Sequence, residues 1–135
     1  MIKAESAVGT RLVLVGLAVG LVSLVLPAGV VLGAPITGYE LLIGSFASWA
    51  GPFHQWQDYY ITLAAVVNVA LFLVLPVGLI WRARRATFAA IAVLSAVYVI
   101  SFPAVFPQTN EAYFAWLVAI SCIAFGHVRL ARPVA

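Results

Sequence analysis

The stretch LVLVGLAVGLVSLVLPAGVVLGAPI, Leu12 to Ile36, decides how the chain is read. Ser23 is its one polar interruption, and its 25 residues exceed the ~20 that a helix needs to span a bilayer. A basic amino end before an apolar run is also the layout of a secretory leader. The run is too long for the apolar part of such a leader, however, and VLGAP is a poor cleavage site. The expectation is therefore a retained membrane helix over 12–34, with Pro27 kinking it or marking where its far end unwinds.

Three further apolar runs follow, at 61–81, 86–106 and 113–129, each close to one bilayer thickness if Arg129 snorkels from the end of the last. The short link RARR makes the second and third runs an antiparallel hairpin, and PQTNEA joins the third and fourth similarly. Composition agrees. The chain is 65% hydrophobic and only 8% charged, whereas a soluble domain is about a quarter charged. A core of 135 residues has too little interior to hide that much apolar surface from water. The expected fold is all-α: an integral membrane four-helix transmembrane bundle forming a single domain.

With four crossings, all seven basic residues (Lys3, Arg11, Arg82, Arg84, Arg85, Arg129 and Arg132) fall on one side. Glu40, His54, Asp58 and Glu111 fall on the other, and Glu5 is the one acid on the basic side. Positive residues stay inside, which places both termini in the cytoplasm. The arginine-heavy, Ala/Gly/Val/Leu-rich composition suggests a bacterial inner membrane. The net charge of +3 reads as topology, with no nucleic-acid partner. Arg82, Arg84 and Arg85 beyond that form a cytoplasmic basic cluster suited to lipid phosphates or an acidic partner. Trp81 marks the inner boundary, and Trp49, Trp56 and Trp116 mark the outer one. The lone Cys122 lies within an apolar run, so no intrachain disulfide forms.

Between the first and second runs lies ITGYELLIGSFASWAGPFHQWQDYY, Ile36 to Tyr60. Tyr39, Leu42, Ile43, Phe46, Trp49 and Phe53 recur at spacings of three and four, with Glu40, Gly44, Ser45, Ser48 and Gly51 opposite them. This predicts an amphipathic helix over 38–50, opened by a Thr37/Glu40 capping box and closed by Gly51-Pro52. About 14 residues at ~1.5 Å each give ~21 Å, too short for a comfortable crossing. The helix is expected at the outer interface, and three roles suit it there. It seals the bundle end, docks a partner through Tyr39, Leu42, Phe46, Trp49, Phe53 and Trp56, or lines a pocket as a re-entrant element.

His54 and Asp58 share a helical face and, with Glu40 and Glu111, make an outer polar cluster. Their spacing is not that of metal ligands, and no metal or cofactor is expected. Asn68 is the most polar residue at depth in the second run. Ser95, Tyr98 and Ser101 step by three toward Pro103, which suits helix bridging, bonding to carbonyls beside the proline, or a polar path shared with Asn68. The pairs Gly16/Gly20, Gly29/Gly33 and Ala115/Ala119 allow helix backbones to approach closely. His127, beside Arg129, reads as the interfacial end of the last helix. Ionisable groups are then confined to the ends, which argues against an ion-coupled transporter. No Gly-rich phosphate loop, Cys-x-x-Cys or paired His is present, so catalysis is not expected.

The functional expectation is a non-catalytic accessory or assembly subunit of a larger membrane complex. It would contact membrane lipid and either other subunits or itself through helices and the outer loop. The alternatives are a homo-oligomeric channel or small-solute transporter using the polar path, and a bacterial immunity protein that intercepts a membrane-active toxin.

Overall fold

A computed structural model describes residues 2–31, 34–51, 55–105 and 110–132. The first helix, α1 (Ile2–Ser23), stops well short of residue 34. Its end has local causes. The Ser23 hydroxyl donates back to the Gly20 carbonyl at 2.6 Å, and the last turn tightens as Leu24 N–H bonds Leu21 O and Val25 N–H bonds Val22 O. Pro27 cannot continue an α-helix. The valine-bearing segment after it forms instead β1 (Pro27–Val31), antiparallel to β2 (Ala34–Thr37). Pro27 pairs with Thr37 and Gly29 with Ile36, so Ala28 is the extra residue of a bulge. The expected unbroken helix over 12–34 is thus corrected to a shorter helix followed by a β-hairpin, and the fold is mostly rather than wholly helical.

The hairpin brings the chain back to the end of α1. There α2 (Gly38–Ala47) begins, and it passes into a 3₁₀ turn at Ser48–Ala50. Gly38 N–H donates to Leu26 O at 3.0 Å and Tyr39 N–H to Leu24 O at 2.7 Å, so carbonyls just past α1 satisfy the first donors of α2. A Cβ on Gly38 would lie 2.1 Å from the Ser23 carbonyl oxygen, and only glycine permits this approach. The start of α2 is thereby tied to the end of α1 across the base of the hairpin.

Next comes α3 (Trp56–Ile80), which carries a π turn at Ala70–Val74 where Leu75 N–H reaches Ala70 O. The cause is Pro76, which has no donor and whose ring would strike the Phe72 carbonyl in a regular helix; the widened turn moves that carbonyl aside. A 3₁₀ turn at Arg82–Arg84 leads into α4 (Arg85–Val105), and α5 (Glu111–Ala131) follows. The stretches Trp56–Ile80, Arg82–Val105 and Glu111–Ala131 are each long and apolar enough to cross a membrane. The apolar part of α1, Ala7–Ser23, is shorter.

The tightest helix pair is α1 against α5. A Cβ on Gly16 would lie 2.6 Å from Ala119 O, and one on Gly126 would lie 2.8 Å from Gly9 O, so the two backbones touch through these glycines. The pairing of 9 with 126 and 16 with 119 makes the helices antiparallel. Val13, Leu71, Leu75, Ile120 and Ile123 fill the centre, while Leu14, Leu21, Leu73, Leu94, Ile100 and Phe125 point outward. Ser23, Ser45, Ser95 and His127 are buried with this apolar centre, and large apolar side chains also cover the outside, which water would not favour. The helix register also sorts the charges by end. Arg85 meets Leu130 at one end, and Asn110, which precedes Glu111, meets the hairpin at the other.

Candidate functional site

Around the junction of α1 and α2 the chain forms a partly open cavity of about 80 Å³. Ser23 and Leu24 form one wall, Ala28 of the hairpin and Leu42 and Ser45 of α2 another, and Ile61, Ala64 and Asn68 of α3 a third. Phe102 of α4 and Asn110, Ala112, Tyr113 and Trp116 at the start of α5 complete it. Among the described residues, Asn68 and Asn110 are the carboxamides of the lining. Asn68 Nδ2 donates to Ala64 O at 2.8 Å within its own helix, and Oδ1 has no bond among the described residues. Asn110 occupies the N-cap position of α5, yet its side chain caps nothing. The buried indole N–H of Trp116 also lacks an acceptor among the described residues.

Beside the cavity stands an aromatic cluster. The Tyr98 hydroxyl donates to Tyr60 O at 2.7 Å, and the Tyr60 hydroxyl reaches Tyr98 O at 3.2 Å and hydrogen-bonds the Ser101 hydroxyl. The two rings lie 4.7 Å apart, and Phe102 and Trp116 meet edge to face at 5.8 Å. Pro103 has no N–H, so the Val99 carbonyl four residues earlier loses its helical donor. The Tyr113 hydroxyl takes that place at 3.1 Å. Of the polar-path residues, only Asn68 lines the cavity. Tyr98 and Ser101 are engaged with α3 and their own backbone, and Ser95 is buried within α4.

On α2 the capping box is present: Glu40 Oε2 accepts from Thr37 N at 2.7 Å, and Glu40 N–H bonds the Thr37 hydroxyl at 3.3 Å. The backbone N–H of Thr37, and then its hydroxyl, hold the Glu40 carboxyl below the usual carboxylate range. The inward face carries Ser45, only 2% exposed, with Ser48 Oγ placed 3.1 Å from Thr62 Oγ1. Tyr39 (56% exposed), Phe46 (39%) and Trp49 (53%) face out, as do Ile43 and Trp56. Leu42 lines the cavity and shares with Phe46 the groove over Asn68 and Phe72. The helix lies along α3 by its small polar side.

The outer polar cluster is not assembled among the described residues. Glu40 is capped to Thr37, Asp58 accepts from Gln55 N–H at 3.0 Å, and Glu111 is exposed in the first turn of α5. No three His, Cys, Asp or Glu side chains of the described residues are placed to share a metal ion. His54 and Phe53 lie outside the described residues. In the basic cluster Arg82 and Arg84 are exposed, whereas Arg85 Nη1 donates to Leu130 O at 3.3 Å, near the carbonyl end of α5 where a cation is favoured.

His127 corrects an expectation. Read as an interfacial group, it is in fact fully buried among α3, α4 and α5. Its Nε2 lies 3.1 Å from Leu75 O, its ring stacks on Phe88 at 6.1 Å, and Nδ1 is unpaired among the described residues. Gly78 makes the room, since a Cβ there would come within 2.7 Å of His127 Cε1. The chain matches no family model, no curated protein and no solved structure.

Proposed function

We propose that this chain is a multi-pass membrane protein with four crossings, α1, α3, α4 and α5, the basic end lying in the cytoplasm of a bacterium. It acts without covalent chemistry, as an accessory or assembly subunit that offers the outward face of α2 to a larger membrane complex. The observation that carries this reading is the orientation of α2, which spends its polar side on α3 and leaves Tyr39, Ile43, Phe46 and Trp49 outward. Rigid aromatic side chains of this kind dominate helix-mediated interfaces because they bury much area at little entropic cost. A channel fits less well, because the Tyr98 and Ser101 hydroxyls that would line it are engaged in bonds between α3 and α4.

The test is purification from native membranes in a mild detergent, with identification of everything that co-elutes. The reading expects a reproducible set of other membrane proteins, lost when Phe46 and Trp49 are changed to serine. A homogeneous homo-oligomer with nothing attached would refute it.

A further inference from the structure

We propose that the cavity between α1 and α2 is a binding site for a small uncharged amphiphile. Its hydroxyl or carbonyl group bonds the carboxamides of Asn68 and Asn110, and its apolar body lies among Leu42, Phe102 and Trp116. This goes beyond a contact role, since it concerns the interior of the chain and a different set of residues.

Helix ends at a cavity commonly hold ions on their free backbone groups. Here those ends are already occupied. The leading donors of α2 go to Leu26 O, Leu24 O and the Thr37 hydroxyl, and around the end of α1 the carbonyls of Gly20, Leu21 and Val22 each accept a bond. Among the described residues, no Asp, Glu, His, Lys or Arg lines the cavity. A charged ligand would therefore lose its hydration and gain no counter-charge. Tyr113, the one phenol of the wall, donates to Val99 O.

Among the described residues, what remains unspent is the buried indole N–H of Trp116, the carboxamide oxygen of Asn68 and the side chain of Asn110, which caps nothing. A buried donor without an acceptor, such as the Trp116 indole N–H, is costly, and a ligand oxygen that bonds it removes that cost. The rest of the wall is mostly hydrocarbon and aromatic ring. Water alone needs two to four polar partners, and the apolar walls supply them only near the two carboxamides. At about 80 Å³ the space is around half of the ~150 Å³ cavity that takes up benzene. It holds about three heavy atoms, the hydroxyl- or carbonyl-bearing end of the ligand, and the rest reaches out through the open side, whether the ligand is a free molecule or a membrane lipid.

Trp116 supplies the readout. Trp49, Trp56 and Trp81 are all exposed, so Trp49→Phe, Trp56→Phe and Trp81→Phe together leave Trp116 as the single emitter without disturbing the core. The protein in nanodiscs is titrated with 1-butanol and 2-butanone, and separately with butyrate and butylammonium ions. The expected result is a saturable change in Trp116 emission with the two uncharged probes and none with the ions. Asn68→Leu, similar in size, weakens the response about tenfold. Ala64→Leu, which fills the cavity and keeps both carboxamides, abolishes it. An equal response in wild type and Ala64→Leu overturns the proposal, as does a linear, unsaturable response in wild type, which means that only water occupies the cavity. A saturable response to the ions equal to that of the uncharged probes overturns it too. A response to longer lipid alcohols that competes with 1-butanol identifies a lipid end as the source, and failure to compete identifies a free solute.

Discussion

Replacing Gly16 by alanine tests the closest approach between α1 and α5. The new methyl would sit 2.6 Å from both Ala119 O and Ile123 Cγ1, well inside van der Waals contact, and one of those atoms is backbone that cannot rotate away. Forcing a methyl into a filled interface costs about 1–3 kcal/mol. Against this, alanine is about 1 kcal/mol better than glycine inside a helix. Gly44 in α2 provides the control, because nothing lies within 4 Å of the Cβ it lacks. Gly44→Ala should therefore show only the propensity gain, about 1 kcal/mol of stabilisation at most. The difference between the two variants cancels propensity and leaves the clash, about 1–3 kcal/mol. Equilibrium unfolding in mixed micelles by added SDS measures both. If Gly16→Ala is as stable as Gly44→Ala, the α1 and α5 backbones do not touch and the antiparallel pairing is wrong.

Tyr113→Phe strands the carbonyl that Pro103 frees, and should cost about 1 kcal/mol. In a Pro103→Ala background residue 103 can again donate to Val99 O, so the same change should become nearly neutral; equal costs in both backgrounds, measured by the same unfolding assay, would reject the pairing. Tyr60→Phe removes the donor to Tyr98 O and the bond to Ser101, and at ~0.6 kcal/mol per bond in a membrane it should cost about 1 kcal/mol in that assay. The Glu40 carboxyl titrates below its unfolded value, so its cap stabilises α2 fully above the usual carboxylate range and is lost as pH falls through the lowered value. Amide exchange at Thr37 should accelerate over that acid window, and Glu40→Gln should flatten the dependence. In a Cys122→Ser background, Arg84→Cys should react with impermeant maleimide only from the cytoplasmic side and Glu111→Cys only from the outer side; the opposite pattern would invert the topology.

Long uniform apolar runs made α3, α4 and α5 legible in the sequence, and Thr37 with Glu40 marked the start of α2. The end of α1 was hidden by the same uniformity. In lipid a helix needs no polar face, so LVLPAGVVLGAP carries no periodicity to show where helix gives way to hairpin. The signal was present as paired prolines flanking β-branched valines. The orientation of α2 was equally hard to read. The spacing puts Leu42 beside Phe46, and the two do share one groove over Asn68 and Phe72, but only Leu42 continues with Ser45 into the cavity. The burial of His127 depends on Gly78, which is 49 residues away in the chain. Local pattern cannot reveal that pairing. The tie between Tyr113 and Val99, in contrast, follows from the unpaired carbonyl that any proline leaves behind.

The central claim, that the outward face of α2 meets another membrane protein, is tested most directly by placing a photo-crosslinking amino acid at Phe46 and irradiating cells in which the chain replaces its native copy. The account predicts a discrete adduct with a second, different membrane protein. That adduct should be absent when the crosslinker is moved to Leu94, which lies outward on α4. Adducts with lipid alone, or with another copy of the same chain alone, would contradict it.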